Sequence, residues 1–378
     1  MDPGGFVCSE CKPSGPLVAT TKRRKCVVIG IDGCRPDALL LASNTFLAPL
    51  LRLKGSGISY TFNSTIAGKL PVSYPSWAET FCGTINHGVE NNANQQPPKS
   101  RNILSSIKGI GLTTSLHMAG WFGFRNVMGN ATSRCDTFKS GGDSSDLAAC
   151  SDSVDFLKVY GYDKNYDNDD LVTFKGDEEL QNDFIQKLNG SEIEDATLLY
   201  LYNCDRVGHR DGFGLDNENY LTSCTEIIDV RVSEIFNAVL AREARLGTEE
   251  WLIVVCTDHG GTSRLNMTSS EDRFDETDGG NAFGQRDCEG VHGLPGVKQH
   301  RNTFLLIRAP KYIDRGGEII VDEDTDVGVT NIDVCKTMQQ WFGIANDGDC
   351  GGVARGIGGR RARIEGGCVC CNRKTCVS

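Results

Sequence analysis

The segment CVVIGID, residues 26–32, is a run of β-branched apolar residues that ends on Asp32-Gly33. A run of this kind, without polar alternation, is the pattern of a strand buried on both faces of a parallel sheet and followed by a turn. Three further apolar runs stand at 197–204 (TLLYLYNC), 251–257 (WLIVVCT) and 303–309 (TFLLIRA). Between the second and the third, Leu221, Cys224, Ile228, Val232, Ile235 and Val239 step by three and four, which predicts a helix over roughly 217–240. Residues 37–54 carry helical spacing as well. TNIDVCKTMQQWFGI (330–344) reads as a closing amphipathic helix, opened by Thr330 or Asn331 and stopped by Gly343. Strands alternating with helices predict an α/β fold, a mostly parallel central sheet with helices on both faces.

Around that core the organisation is simple. Residues 1–25 read as a flexible leader, 26–345 as one folded domain and 346–378 as a tail rich in Gly, Arg and Cys. The polar, glycine-containing stretches 139–180 and 262–290 do not fit a compact core and read as long functional or disordered loops. A net charge of −11 argues against a nucleic-acid-binding face. It does not exclude a small anionic substrate, because bound cations reverse a local field. No apolar run approaches the length of a membrane span, and the leader has no signal-peptide core, so the default is a cytosolic protein. The 17 cysteines and the N-x-S/T sequons at Asn63, Asn130, Asn189 and Asn266 leave secretion open. Cys8 and Cys11, with Cys368, Cys370, Cys371 and Cys376, can form a small zinc site or disulfides if the termini meet.

The chemistry gathers at strand ends. Asp32, Asp205 and Asp258 each follow an apolar run, and ligands of open α/β sheets bind at the carboxyl ends of strands. Three carboxylates there repel one another unless cations neutralise them. Asp205 is followed by His209 four residues on, Asp258 directly by His259, and His292 stands in V-H-G before the last run. Carboxylate oxygen with imidazole nitrogen suits zinc. A single Asp in such a place is commonly a turn or cap residue. Turn chemistry explains the ordered set poorly. PVSYPSW (71–77) places Ser73 at the opening of a helix, where it serves as an N-cap, as a nucleophile, or as both. A serine hydroxyl needs activation, and no G-x-S-x-G context supplies a base, which favours a metal.

At these residues the chain resembles the alkaline-phosphatase superfamily, in particular its type I phosphodiesterase/nucleotide pyrophosphatase branch. The resemblance runs from about Lys25 to Ile344 and rests on GIDGCRPDAL (30–39), SYPSWAETFCGTINHGVENN (73–92), DRVGH (205–209), TDHGG (257–261) and VHG (291–293), in the family order. It implies two divalent metal ions, zinc by ligand type. Asp205, His209 and His292 would hold one; Asp32, Asp258, His259 and the Ser73 oxygen would hold the other. It further implies Ser73 as the nucleophile of a phosphoryl-serine intermediate, Asn92 as the donor to a phosphoryl oxygen, and a small phosphorylated substrate, a nucleotide in the nearest branch.

Several features depart from that pattern. The stretch from Ser73 to Asn92 is shorter than in the nucleotide pyrophosphatases, which leaves Asn91 as a rival of Asn92, and Ser76 is a weaker rival of Ser73. The sulfatase pattern C/S-x-P-x-R fails because Trp77 stands at its arginine. Tyr74, directly after the nucleophile, either stacks on a base or packs in the core. Trp121, Phe122 and Phe124 are pocket wall or core. A phosphomonoesterase or phosphonate hydrolase on the same residues, and a binding protein without catalysis, are the alternative functions.

Overall fold

The computed structural model describes residues 22–41, 58–68, 70–92, 97–120, 127–128, 153–160, 173–263, 290–294, 296–309, 317–318 and 328–344. Its strands are β1 (Arg23–Ile31), β2 (Ile58–Thr65), β3 (Thr114–Ala119), β4 (Phe156–Tyr160), β5 (Ala196–Leu201), β6 (Glu249–Thr257), β7 (Thr262–Ser263), β8 (Gly290–Val291), β9 (Asn302–Arg308) and β10 (Gly317–Glu318). The helices are α1 (Pro36–Leu41), α2 (Ser73–Cys82), α3 (Ile103–Gly109), α4 (Lys175–Asn189), α5 (Asn203–Asp211), α6 (Glu218–Thr222), α7 (Asp229–Leu246), α8 (Lys298–Arg301) and α9 (Asp333–Phe342), with a π-helical turn, Ser223–Ile228, joining α6 to α7.

Eight strands form one sheet in the order β10-β2-β9-β6-β1-β5-β3-β4. From β6 to β4 every neighbouring pair is parallel, whereas β9 runs antiparallel to both β6 and β2. The expected mostly parallel sheet is therefore present, with the run at 303–309 reversed in direction. An apolar run records burial on both faces and carries no sign of strand direction. Helices α2, α3 and α9 pack together, while α4 packs on α7, and α7 on β6. Strands β1 and β6 are buried over nearly their whole length, which is why they read as unbroken apolar runs.

The centre of the sheet sets the height of the site. Ile31 pairs with Leu201 on one side and with Thr257 on the other, so β5, β1 and β6 end level. Gly30 lets α2 close on this edge, since a Cβ there would stand 2.7 Å from the Trp77 ring. Trp77 stacks on Phe81 at 5.7 Å and meets Tyr200 edge-on at 5.8 Å.

Several sequence expectations are corrected. The first strand begins at Arg23, inside the expected leader, because Arg23 and Lys25 pair with Asp195 at the foot of β5. The expected loop 139–180 contains β4 and the start of α4, an edge strand whose partly exposed residues lack a buried-strand pattern. The helix expected over 217–240 is broken by the π-helical turn and extends to Leu246. The closing helix begins at Asp333 and does stop at Gly343, which has φ 71°. Asn331 does not cap it; its side-chain NH2 goes to Ser76 O and Glu79 Oε2, both at 3.0 Å, and so ties the segment to α2. β2 and β3 lie outside the runs that the sequence marks as strands. Within 37–54 only α1 is described. Cys8, Cys11, the tail with its cysteines, Trp121, Phe122, Phe124, Asn130 and Asn266 lie outside the described residues. Among the described residues, no helix is long and apolar enough to cross a membrane.

The foot of the sheet depends on one buried ion cluster. Lys25 is buried; its Nζ lies 3.1 Å from Asp195 Oδ1 and donates to Ile193 O at 2.6 Å. Burial alone would raise the Asp195 pKa, but hydrogen bonds from Arg23 and Thr113 and the charge of Lys25 outweigh it and hold the carboxyl below the usual range. Asp195→Ala leaves the ammonium buried without its counterion and is expected to lower the unfolding free energy by about 3–5 kcal/mol. With a depressed folded pKa, this group stabilises above its ordinary pKa, and that contribution is lost as pH falls through the folded value. Asp195→Asn should therefore flatten the acid limb of stability in urea titrations across pH; an unchanged limb would dissociate the cluster from acid unfolding.

Candidate active site

Level strand ends bring three carboxylates together. Asp32 follows β1 directly, Asp258 follows β6, and Asp205 sits in the first turn of α5, which starts two residues after β5. Gly33 makes this closeness possible: its φ is +63°, and a Cβ on it would lie 2.8 Å from the Cα, Cβ and Oδ1 of Asp205. Helix α5 has no capping side chain of its own. Asp177 of α4 takes that role, accepting from Tyr202 N at 3.0 Å and Asn203 N at 2.9 Å. Helical spacing then sets His209 one turn from Asp205, Nε2 to Oδ2 3.5 Å. His292 follows β8, which pairs with β7 through Thr262 and Val291.

The side chains form two sets, each with its candidate donor atoms within 4.8 Å of one another: Asp205, His209 and His292; and Asp32, Asp258 and His259. In the first, His292 Nε2 lies 3.7 Å from Asp205 Oδ1 and 3.0 Å from His209 Nε2. In the second, His259 Nε2 lies 3.4 Å from both Asp32 Oδ1 and Asp258 Oδ2. The sets adjoin, with the His259 and His292 rings stacked at 3.9 Å. All three imidazoles turn Nδ1 to a backbone carbonyl: His259 to Gly260 O at 2.9 Å, His292 to Pro71 O at 3.3 Å, His209 to Gly290 O at 3.4 Å. A carbonyl only accepts, so Nδ1 carries the proton and each Nε2 presents a lone pair.

These residues fit divalent cations. Two imidazole lone pairs 3.0 Å apart repel unless something positive lies between them. Asp205 Oδ1 and Asp258 Oδ2 are buried and accept no hydrogen bond, a costly state for a carboxylate oxygen. The titration directions agree. Burial, together with the charge of Asp205, pushes Asp32 up to about 8 despite the Tyr200 hydroxyl. Burial pushes Asp205 up to about 8 as well. Burial and the charge of Asp32 raise Asp258 well above the carboxylate range. Burial lowers His259 to about 3 and takes His209 and His292 down with it. With the imidazoles lowered and the carboxyls raised, the His–Asp contacts are not ion pairs, and the pocket is short of positive charge.

Ser73 opens α2, where the backbone N–H groups of the first turn have no helical partners. Its Oγ lies 3.1 Å from His259 Nε2 and 3.5 Å from Asp32 Oδ1. Ser76 Oγ, the rival, is buried and has no hydrogen-bond partner among the described residues. Asn92 accepts from Tyr74 N through Oδ1 at 2.8 Å, which leaves its NH2 as the donor beside the start of α2. Tyr74 is fully buried in the apolar core, so it takes the packing role and presents no face to a base. Sequence reasoning missed the supports. Tyr200 donates to Asp32 Oδ2, Gly33 N donates to Asp258 Oδ1 at 3.1 Å, and Asp177 caps α5. Only Tyr200 left a signal, as the one aromatic residue of the strand ATLLYL.

No protein-family model matches the sequence, and no curated protein matches it. Solved structures do match in three dimensions. An inactive variant of murine ectonucleotide pyrophosphatase/phosphodiesterase 5 in complex with AMP superposes with a TM-score of 0.52 at 13% identity, over 85% of this chain and 96% of that one. Ps i-CgsB in complex with k-i-k-neocarrahexaose gives 0.53 at 13%, over 88% and 75%. The zinc complex of the C-terminal periplasmic domain of EptC from Escherichia coli gives 0.50 at 10%, over 85% and 83%. The chain has the fold of the alkaline-phosphatase superfamily.

A cation that binds only the folded chain stabilises it by about 2.7 kcal/mol at a hundredfold excess over Kd. Zinc is therefore expected to raise the melting temperature of metal-stripped protein. Asp258→Asn removes one crowded buried carboxylate; it should leave the metal-free melting temperature equal or higher and shrink the zinc-induced rise. Thermal melts with and without zinc check this, and equal rises in both proteins would place the cation elsewhere.

Proposed function

We propose that the chain is a metal-dependent hydrolase of phosphoric esters, acting on phosphodiesters or nucleotide pyrophosphates through a phosphoryl-serine intermediate at Ser73. The observation that carries this reading is the position of Ser73 Oγ, at a helix N-terminus and 3.1 Å from a ligand nitrogen of the second carboxylate–imidazole set. The nucleotide class is supported by the likeness to a phosphodiesterase that binds AMP.

Asp205, His209 and His292 would hold one divalent ion, and Asp32, Asp258 and His259 with the Ser73 oxygen the other. Ions of this kind, zinc by donor set, lower the pKa of a coordinated hydroxyl and offset charge on phosphoryl and leaving oxygens. The chain supplies the rest. Ser73 Oγ, fixed on a rigid helix, attacks phosphorus; a P–O bond forms as the bond to the leaving oxygen breaks, and water later releases the phosphoryl group. The positive end of α2 favours the anion at this spot. The Ser73 N–H and the NH2 of Asn92 hold a non-bridging oxygen as charge builds. Tyr200 and Gly33 hold Asp32 and Asp258 in place through their outer oxygens.

Ser73→Ala is expected to cut kcat on bis-nitrophenyl phosphate by more than about 10³-fold. Asn92→Ala should cost about 10²–10³-fold, as removal of one charge-stabilising donor does. A substrate panel on zinc-loaded protein should cover nucleotide diesters, pyrophosphates, monoesters, phosphonates and sulfate esters. Full hydrolysis by Ser73→Ala removes the serine from its role. Faster turnover of monoesters, phosphonates or sulfate esters than of diesters overturns the diesterase assignment.

A further inference from the structure

Three cysteines that the hydrolase reading does not use lie together behind the site. Cys34, Cys204 and Cys224 are fully buried and come from the turn after β1, the first turn of α5 and the π-helical turn. Their sulfurs all stand within 4.8 Å of one another, with Cys204 and Cys224 at 3.6 Å. Around one ion with metal–sulfur bonds of about 2.3 Å, ligand sulfurs stand roughly 3.8–4.0 Å apart. A buried cysteine is ordinarily a small hydrophobe, and packing alone accounts for buried thiols. It does not account for the polar support built onto one of them. Asn203 Nδ2 donates to Ser223 Oγ at 2.7 Å, so the Ser223 hydroxyl is turned to donate to Cys204 Sγ, 3.8 Å away. The helix that carries Ser223 and Cys224 breaks into a π-helical turn at those residues, a rare local form concentrated at functional sites.

We propose that Cys34, Cys204 and Cys224 form a third metal site, distinct from the two carboxylate–imidazole sets, that binds one thiophilic d10 cation such as zinc, cadmium or monovalent copper through three thiolates. Each thiol gives its proton to solvent as its metal–sulfur bond forms, so binding releases three protons. Cys34 lies two residues after Asp32, and Cys204 directly precedes Asp205. The ion thus pins together the turns that carry one carboxylate of each set. The site does not depend on the hydrolase reading, since none of its ligands belongs to that chemistry.

The test uses the full chain, reduced and stripped of metal, titrated with cadmium while thiolate-to-metal charge-transfer absorption is followed. The wild-type chain should gain the band, and Cys224→Ser should lose part of it together with one bound equivalent. Ser223→Ala, which keeps all three ligands, should weaken that equivalent about tenfold. On the unaltered protein, cadmium-soaked crystals should show an anomalous peak among the three sulfurs. A band unchanged in Cys224→Ser, a peak absent there while the Asp/His sets are filled, or a Cys204–Cys224 disulfide in its place would overturn the proposal. A peak among the sulfurs with both Asp/His sets empty would support it and count against the hydrolase reading instead.

Discussion

Crowding of negative charge at the level ends of β5, β1 and β6 is the constraint from which the rest of the site follows. Asp32 and Asp258 lie within ligand distance of one another, and both are wholly buried. Two unit charges about 4 Å apart repel by about 4 kcal/mol even at an effective dielectric of 20. A whole domain is stable by only about 5–15 kcal/mol. Such a cluster persists protonated or with cations in it, and the imidazoles fit the second state. Their Nδ1 atoms are committed to carbonyls, so they bring lone pairs into the pocket in place of protons.

The surrounding fold keeps these groups from relaxing apart. Gly33 allows Asp205 to approach the turn after β1, and Asp177 fixes the start of the helix on which Asp205 and His209 are mounted. On the other face, Trp77 fills the space above Gly30 and braces α2, so that Ser73 projects from a packed helix. Where a sulfatase pattern has an arginine, this chain has a fully buried indole packed between Phe81 and Tyr200. That position therefore offers no guanidinium.

The parts legible in the sequence were those that the chemistry writes locally. A strand buried on both faces must be apolar throughout, so β1, β5 and β6 were readable. An Asp that closes such a strand and recurs beside histidine is a local pattern, and the structure brings together the members of both expected sets. What escaped has no local signature. Direction is invisible in a symmetric apolar run, hence the reversed β9. Edge strands such as β4 are half exposed and look like loop. Asp177 acts on a helix that begins more than twenty residues later in the chain, and Asn331 reaches back to α2 instead of serving its own helix. Tyr74 was open to two roles because an aromatic beside a nucleophile is equally good as platform or as packing, and only the packing around it decides.

The surroundings of His259 bear on how the proposed chemistry would use it. The 3.1 Å contact between Ser73 Oγ and His259 Nε2 has the form of a serine–histidine dyad, in which the imidazole serves as general base. In such a dyad, a carboxylate holds the far nitrogen, fixes the ring and stabilises the imidazolium that forms. Here the far nitrogen of His259 faces the Gly260 carbonyl, a weaker support for positive charge, and burial lowers the ring to about 3. The carboxylates of Asp32 and Asp258 stand on the serine side, around the lone pair itself. A base needs its lone pair turned to a single proton donor, whereas a metal ligand shares the space in front of its lone pair with other donors. His259 shares it with two carboxylate oxygens and a hydroxyl, an arrangement that supports the proposed ligand role over that of a base.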